Sequence, residues 1–350
     1  MLTVDNVSKK LSGKTILHDI NLEFDHGVYG LLAPNGAGKT TLMKLMTTLL
    51  FPDSGSIRLD GEDIVALGER YRGQIGYLPQ DFGYYPGYTP RQFLRYIAAL
   101  QGMPRHGLDA RIDALLDMVG LSEAANKRMR TFSGGMIQRV GIAQALVHDP
   151  SILILDEPTA GLDPKERVRF RNIIHSLAAD RIVILSTHIV SDLETIAGHI
   201  VMLRDGTVYT NASPADICSS LEGRIYEVAA GTPLAEDQRL LSEVQYGGET
   251  RLRIYSEDPI AGGANASGPN VTSAGLSPTG LATGLATGMA TGTATGIATG
   301  AAVNPTASSA AYPTANPAAY PAATPATTPA TAPVMVAPNL EDAFLVIYGG

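Results

Sequence analysis

Tryptophan is absent from this chain, and cysteine occurs once, at Cys218. A single thiol cannot close an internal disulfide, which fits a reducing compartment and excludes a small disulfide-stapled scaffold. Aromatic residues make up 6% of the sequence, so a local concentration of them carries information. No uncharged apolar run approaches the ~20 residues of a membrane-spanning helix, and the chain is not expected to cross a bilayer by itself. The opening Met1-Leu2-Thr3-Val4-Asp5 reads as a strand, with no basic stretch ahead of an apolar one, so no signal peptide is expected there. A basic excess is lacking too: 26 Lys and Arg stand against 34 Asp and Glu, for a formal charge of −8. That balance argues against a nucleic-acid partner.

One long segment lacks charge altogether. Between residues 259 and 340 there is no Asp, Glu, Lys or Arg, and Pro, Ala, Thr, Gly and Ser dominate. Leu281-Ala282-Thr283-Gly284 begins a four-residue repeat that runs to Gly300. Too few large side chains are present to offset the roughly 1–2 kcal/mol per residue of backbone entropy. Residues 259–338 are therefore expected to be a disordered insert. Order is expected again at 339–350, where Leu340, Phe344 and Ile347 share one face of a short helix.

Ahead of the insert the texture is that of a folded domain. Apolar runs such as Ile152-Leu153-Ile154-Leu155 and Ile182-Val183-Ile184-Leu185 read as strands buried on both faces. Helical patterns alternate with them over 1–220. A strand-free stretch, about 88–150, reads as a helical subdomain inserted into an α/β core. Residues 221–258 read as a small α+β appendage: two strands at Arg224–Val228 and Arg251–Tyr255, with a helix between them at Leu234–Val244.

The strongest chemical signal is Asn35-Gly36-Ala37-Gly38-Lys39-Thr40-Thr41, placed after the apolar Val28–Leu32 and before a helical pattern. Glycines let backbone N–H groups turn toward phosphates, and a helix start adds donors and a positive dipole end. Lys39 is expected on the β- and γ-phosphates and the Thr40 hydroxyl on Mg²⁺, which makes ATP or GTP the expected ligand. The loop departs from the usual pattern at Ala33, where glycine is the rule. An alanine is harmless there only at negative φ. The run Ile152–Leu155 ends in Asp156-Glu157. Asp156 is expected to hold Mg²⁺ through water, and Glu157 to polarise the attacking water. Ser133-Gly134-Gly135 opens a second helix with free donors, Ser133 serving as its cap. Two phosphate-binding helix starts but one lysine loop make sense if Ser133 serves the nucleotide of a second subunit; the alternative is a capped surface helix.

These motifs, with Leu78-Pro79-Gln80, Ala160-Gly161-Leu162-Asp163 and Ser186-Thr187-His188, stand in the order of the ATP-binding-cassette (ABC) family. The chain resembles that family over residues 1 to about 215. The resemblance implies a P-loop NTPase core with an inserted helical subdomain, ATP and Mg²⁺ as cofactors, and ATP hydrolysis at the interface of a cassette dimer, here expected between two copies. It places Gln80 on Mg²⁺ and water, His188 on the γ-phosphate, and Asp163 across the dimer. The family's adenine-stacking aromatic falls at Leu11, so looser base recognition is expected. The resemblance further implies separate multi-span permease subunits and a peripheral location on the cytoplasmic side of the cell membrane. The aromatic stretch Phe82–Tyr88 is expected to help dock the permease. The Tyr77–Gln80 context and Leu340–Leu345 resemble exporter ATPases of the drug, lipid or peptide type. Two other readings stay open at this stage: a soluble ABC ATPase acting on ribosomes or nucleic acid, and a regulatory subunit that binds ATP without hydrolysing it.

Overall fold

A computed structural model of the chain describes residues 1–260, 264–265 and 332–349. The apolar runs form the centre of a six-stranded sheet. Its order is Thr207–Ala212, His199–Arg204, Gly27–Leu32, Ile182–Ser186, Ile152–Asp156 and Ile75–Leu78. All neighbours are parallel except the antiparallel pair at the Thr207–Ala212 edge. Strand alternation sorts the central side chains between two cores. Leu153, Leu155, Val183 and Leu185 face one, while Ile152, Ile154, Ile182 and Ile184 face the other.

Each core has its own cover. The helix Lys39–Met46 and a four-stranded antiparallel sheet, Lys14–Phe24, Leu2–Leu11, Ser54–Leu59 and Glu62–Asp63, close the isoleucine side. On the leucine side lie the helices Pro90–Leu100, Leu108–Met118 and Gly134–Ala145, within the span expected for the helical subdomain. The helix at 90 starts where its sequence says it should. Thr89 and Gln92 form a capping box, and Pro90 occupies the first turn.

The appendage corrects one expectation. Leu234–Val244 is not a helix: Gln238–Tyr246 is a strand, paired antiparallel with Glu249–Ser256. Gly247 and Gly248 both have positive φ, 59° and 96°. Two such residues make the tight turn that returns one strand onto the next, and that local signal outweighs the helical spacing of the leucines. Ile225–Ala229 pairs with the far side of Glu249–Ser256 and also with Val334–Met335, which in turn pairs with Ala264–Asn265. Val334–Met335, inside the stretch expected to be disordered, is thus a strand, while the Ala-Thr-Gly repeats lie outside the described residues.

The final helix, Leu340–Tyr348, forms as expected and opens with a capping box of Asn339 and Asp342. Leu340 and Ala343 are buried in the leucine-side core beside Leu193, Ile217 and Ile225. Arg253 clamps it to the appendage sheet, its Nε and Nη2 each 2.6 Å from a carboxylate oxygen of Asp342.

Candidate active site

The phosphate loop bridges Gly27–Leu32 and Lys39–Met46. Gly38, at φ 105°, is required: a Cβ there would sit 2.6 Å from the Leu17 side chain. Ala33 is not among the positive-φ residues, and its methyl is buried in the isoleucine-side core. The departure from glycine therefore costs the loop no left-handed strain. Lys39 is 7% exposed, with Nζ 2.6 Å from the Ala33 carbonyl and 3.2 Å from that of Pro34. Burial lowers its pKa, and the charges of Glu157 and Asp156 oppose the shift.

Asn35, Gly36, Gly38, Lys39, Thr40 and Thr41 line a cavity of about 460 Å³ together with Gln80, Asp156 and Glu157. The fold thus brings the loop, both carboxylates and the glutamine around one space. Ala37 lines an adjoining cavity that also touches Asn35 and Gly36.

One hydroxyl organises the carboxylates. Asp156 and Ser186 are register partners on neighbouring strands. Ser186 Oγ donates to Asp156 Oδ1 at 2.6 Å and accepts from the Glu157 N–H at 2.9 Å. Sequence reading missed Ser186 as a functional residue, because its role comes from a pairing 30 residues away. Asp156 is 1% exposed, and its Oδ2 has no hydrogen-bond partner among the described residues. Asp156 shares its cavity with Thr40 and Gln80, and an orphaned carboxylate oxygen in such an oxygen-rich set fits a hydrated divalent cation of the Mg²⁺ type, which takes oxygen donors and keeps several waters. Glu157 is held at φ 51°, an uncommon conformation for a residue with a side chain. Its Oε2 lies 2.8 Å from His188 Nδ1, whose ring is largely exposed. A carboxylate beside an imidazole can accept a proton and hand it on.

Ser133, Gly134 and Asp163 lie elsewhere. Ser133 caps Gly134–Ala145 through the Met136 N–H, and it is exposed and absent from the cavity lining. Asp163 caps Pro164–Leu177 by accepting from the Glu166 N–H at 2.9 Å. Gly135 packs against this second segment, where a Cβ would meet Leu162 Cδ2 at 3.2 Å. Leu11 ends the first strand, 37% exposed, and lines neither cavity.

The aromatic stretch divides. Phe82 packs edge-on to Phe93, with centroids 5.7 Å apart, whereas Tyr85 and Tyr88 stay 49% and 38% exposed. A groove of about 600 Å³ runs over Pro79, Phe82, Tyr85, Tyr96 and Leu100. Pro79 faces this groove and its neighbour Gln80 faces the phosphate cavity.

Comparison with known proteins agrees with this geometry. Residues 17–160 match the family model described as ABC transporter. The uncharacterized ABC transporter ATP-binding protein YxlF of Bacillus subtilis is 37% identical over 266 residues, 75% of this chain and 88% of that protein. The Nod factor export ATP-binding protein I of Burkholderia lata is 32% identical over 260 residues, 73% of this chain and 85% of its own length. The dimeric structure of a bacterial ABC transporter cassette superposes with a TM-score of 0.55 at 26% identity, covering 61% of this chain and 98% of that one.

Proposed function

Since the chain belongs to the family of ABC transporter ATP-binding proteins, we propose that it drives an export cycle in which two copies close over ATP–Mg²⁺ and reopen after hydrolysis. It is an ATP-hydrolysing subunit of a transporter. The export direction is our reading. It draws on the likeness to a Nod factor export protein over nearly that protein's whole length.

The observation that carries the sandwich is the separation of two half-sites within one chain. Lys39, Thr40, Gln80, Asp156, Glu157 and His188 gather at the phosphate cavity, while Ser133 and Gly134 present donors to solvent away from it. A second copy, turned to face the first, supplies to each cavity the signature loop it lacks. Lys39 holds the β- and γ-phosphates, and Ser133 with Gly135 of the facing copy covers the γ-phosphate. Asp163 lies on the same face. Glu157 takes a proton from the attacking water, and His188 steadies that carboxylate and the γ-phosphate. Thr40, Asp156 and Gln80 would hold Mg²⁺, which when bound would offset charge on the phosphate oxygens. Phosphoryl transfer depends chiefly on such positioning and charge stabilisation. Ser133→Arg places a bulky cation at the closing face. It is expected to leave ATP binding to the isolated chain intact and to lower turnover by about tenfold or more. Wild-type turnover in that variant, measured as phosphate release, would rule out the sandwich.

No helix among the described residues is long and apolar enough to cross a membrane. We assign the membrane path to separate multi-span subunits that receive this chain on the cytoplasmic face of the cell membrane. A short helix of such a subunit fits the aromatic groove, and the Pro79–Gln80 step then carries movement between groove and nucleotide. Tyr85→Ala with Leu100→Asp is expected to weaken co-purification with the membrane subunits about tenfold or more, with the ATPase rate of the free protein unchanged. Undiminished co-purification from solubilised membranes would place the docking surface elsewhere.

A further inference from the structure

The cavity that holds the catalytic groups adjoins a larger one of about 700 Å³, and the two share Ile16, Asn35 and Gly36 in their walls. The two lie on opposite sides of the phosphate-loop strand. Gly27–Leu32 has Ile182–Ser186, which leads to His188, as one neighbour and His199–Arg204 as the other. Glu157 borders the smaller cavity, and Leu203–Gly206 borders the larger. A triphosphate with its γ end at Glu157 and its β end on Lys39 can extend its nucleoside past Asn35, toward the larger space. That volume suits a small-molecule site.

The far wall of this space comes from the end of the chain. Arg239 of the appendage and Ile347 and Tyr348 of the last helix line it. Tyr348 is fastened to the nucleotide-binding sheet itself. Its hydroxyl donates to the Leu203 carbonyl at 2.9 Å and lies 3.3 Å from that of Leu32, the final residue of the phosphate-loop strand. Phe344 backs the Tyr348 ring at 4.7 Å. Arg204, the other guanidinium at the rim, is engaged by Asp205 and the face of Tyr209. Leu11 lies outside both linings.

We propose that Arg239, Ile347 and Tyr348 form the nucleoside wall of the ATP site, making the C-terminal appendage a specificity-determining part of nucleotide recognition. Ile16, Ile347 and the Tyr348 ring offer apolar contact to a base. The Arg239 guanidinium, a donor only, matches the acceptor atoms of a purine and its ribose. This wall stands in for the aromatic platform missing at Leu11.

The inference rests on ATP being the substrate, and its test separates the two. Binding of ATP, ADP and inorganic tripolyphosphate is measured on the full-length protein, alongside steady-state hydrolysis. Arg239→Ala and Ile347→Ala are each expected to weaken ATP and ADP binding by about tenfold. KM should rise by a similar factor with kcat retained, and tripolyphosphate affinity should not change. Tyr348→Phe keeps the ring while releasing the two carbonyls, and should raise KM less. Unchanged ATP affinity in both Arg239→Ala and Ile347→Ala, or equal weakening of ATP and tripolyphosphate, would overturn the wall while leaving the ATPase assignment intact. Wild-type protein that hydrolyses no ATP would instead refute that assignment.

Discussion

Glu157→Gln is expected to lower ATP turnover by about 10²- to 10⁴-fold and to leave a persistent ATP-bound dimer. The substitution preserves shape and the hydrogen-bonding reach toward His188, now 2.8 Å away, but removes the group that can accept a proton. The Glu157 N–H still bonds to Ser186 Oγ, so Asp156 and the loop keep their places and ATP still binds. The stalled species is then the closed dimer, because reopening waits on loss of the γ-phosphate. Phosphate release and light scattering at saturating ATP read both halves of the expectation. A variant that turns over within a few-fold of wild type would remove Glu157 from the mechanism. A variant that stays monomeric while wild type hydrolyses normally would remove the dimer.

The second large effect concerns stability. Arg253→Ala is expected to destabilise the fold by about 3–5 kcal/mol. Arg253 meets Asp342 with two parallel bonds, donates to the Ala337 carbonyl at 2.7 Å, and stands 3.4 Å from Glu227 Oε1. Glu227 and Asp342 are 4% and 2% exposed. Without the guanidinium, both carboxylates are left buried with no close cation of the same geometry. Arg251, 4.0 Å from Glu227 and well outside the bidentate pair, cannot replace it. Urea unfolding of Arg253→Ala beside Arg251→Ala makes the comparison, since the second variant should shift the midpoint far less. Equal midpoints for wild type and Arg253→Ala would show that the clamp adds nothing.

Local chemistry is what the sequence made readable. Asn35–Thr41 and Asp156-Glu157 announce themselves because strand, loop and helix follow one another directly, and each motif is a few residues long. The central strands were equally plain, since Ile152–Leu155 and Ile182–Leu185 are apolar throughout. What stayed hidden depends on distant pairings. Ser186 gains its role by register with Asp156, and Arg253 finds Asp342 across 89 positions. Leu234–Val244 was misread because leucines spaced for a helix also suit a half-exposed strand, and the deciding feature was the pair Gly247-Gly248 just beyond. Tyr348 gave no signal as a neighbour of the phosphate loop, for nothing in a linear reading ties residue 348 to residue 32.

The backbone at Glu157 occupies a left-handed conformation that a side-chain-bearing residue adopts at a penalty of order 1–3 kcal/mol. Glycine or asparagine would rest there more comfortably, yet neither can deprotonate water. Relief of that strain and retention of the base therefore exclude each other at this position. A thermally hardened descendant that took the easier residue would still grip its nucleotide, and would have become a latch instead of an engine.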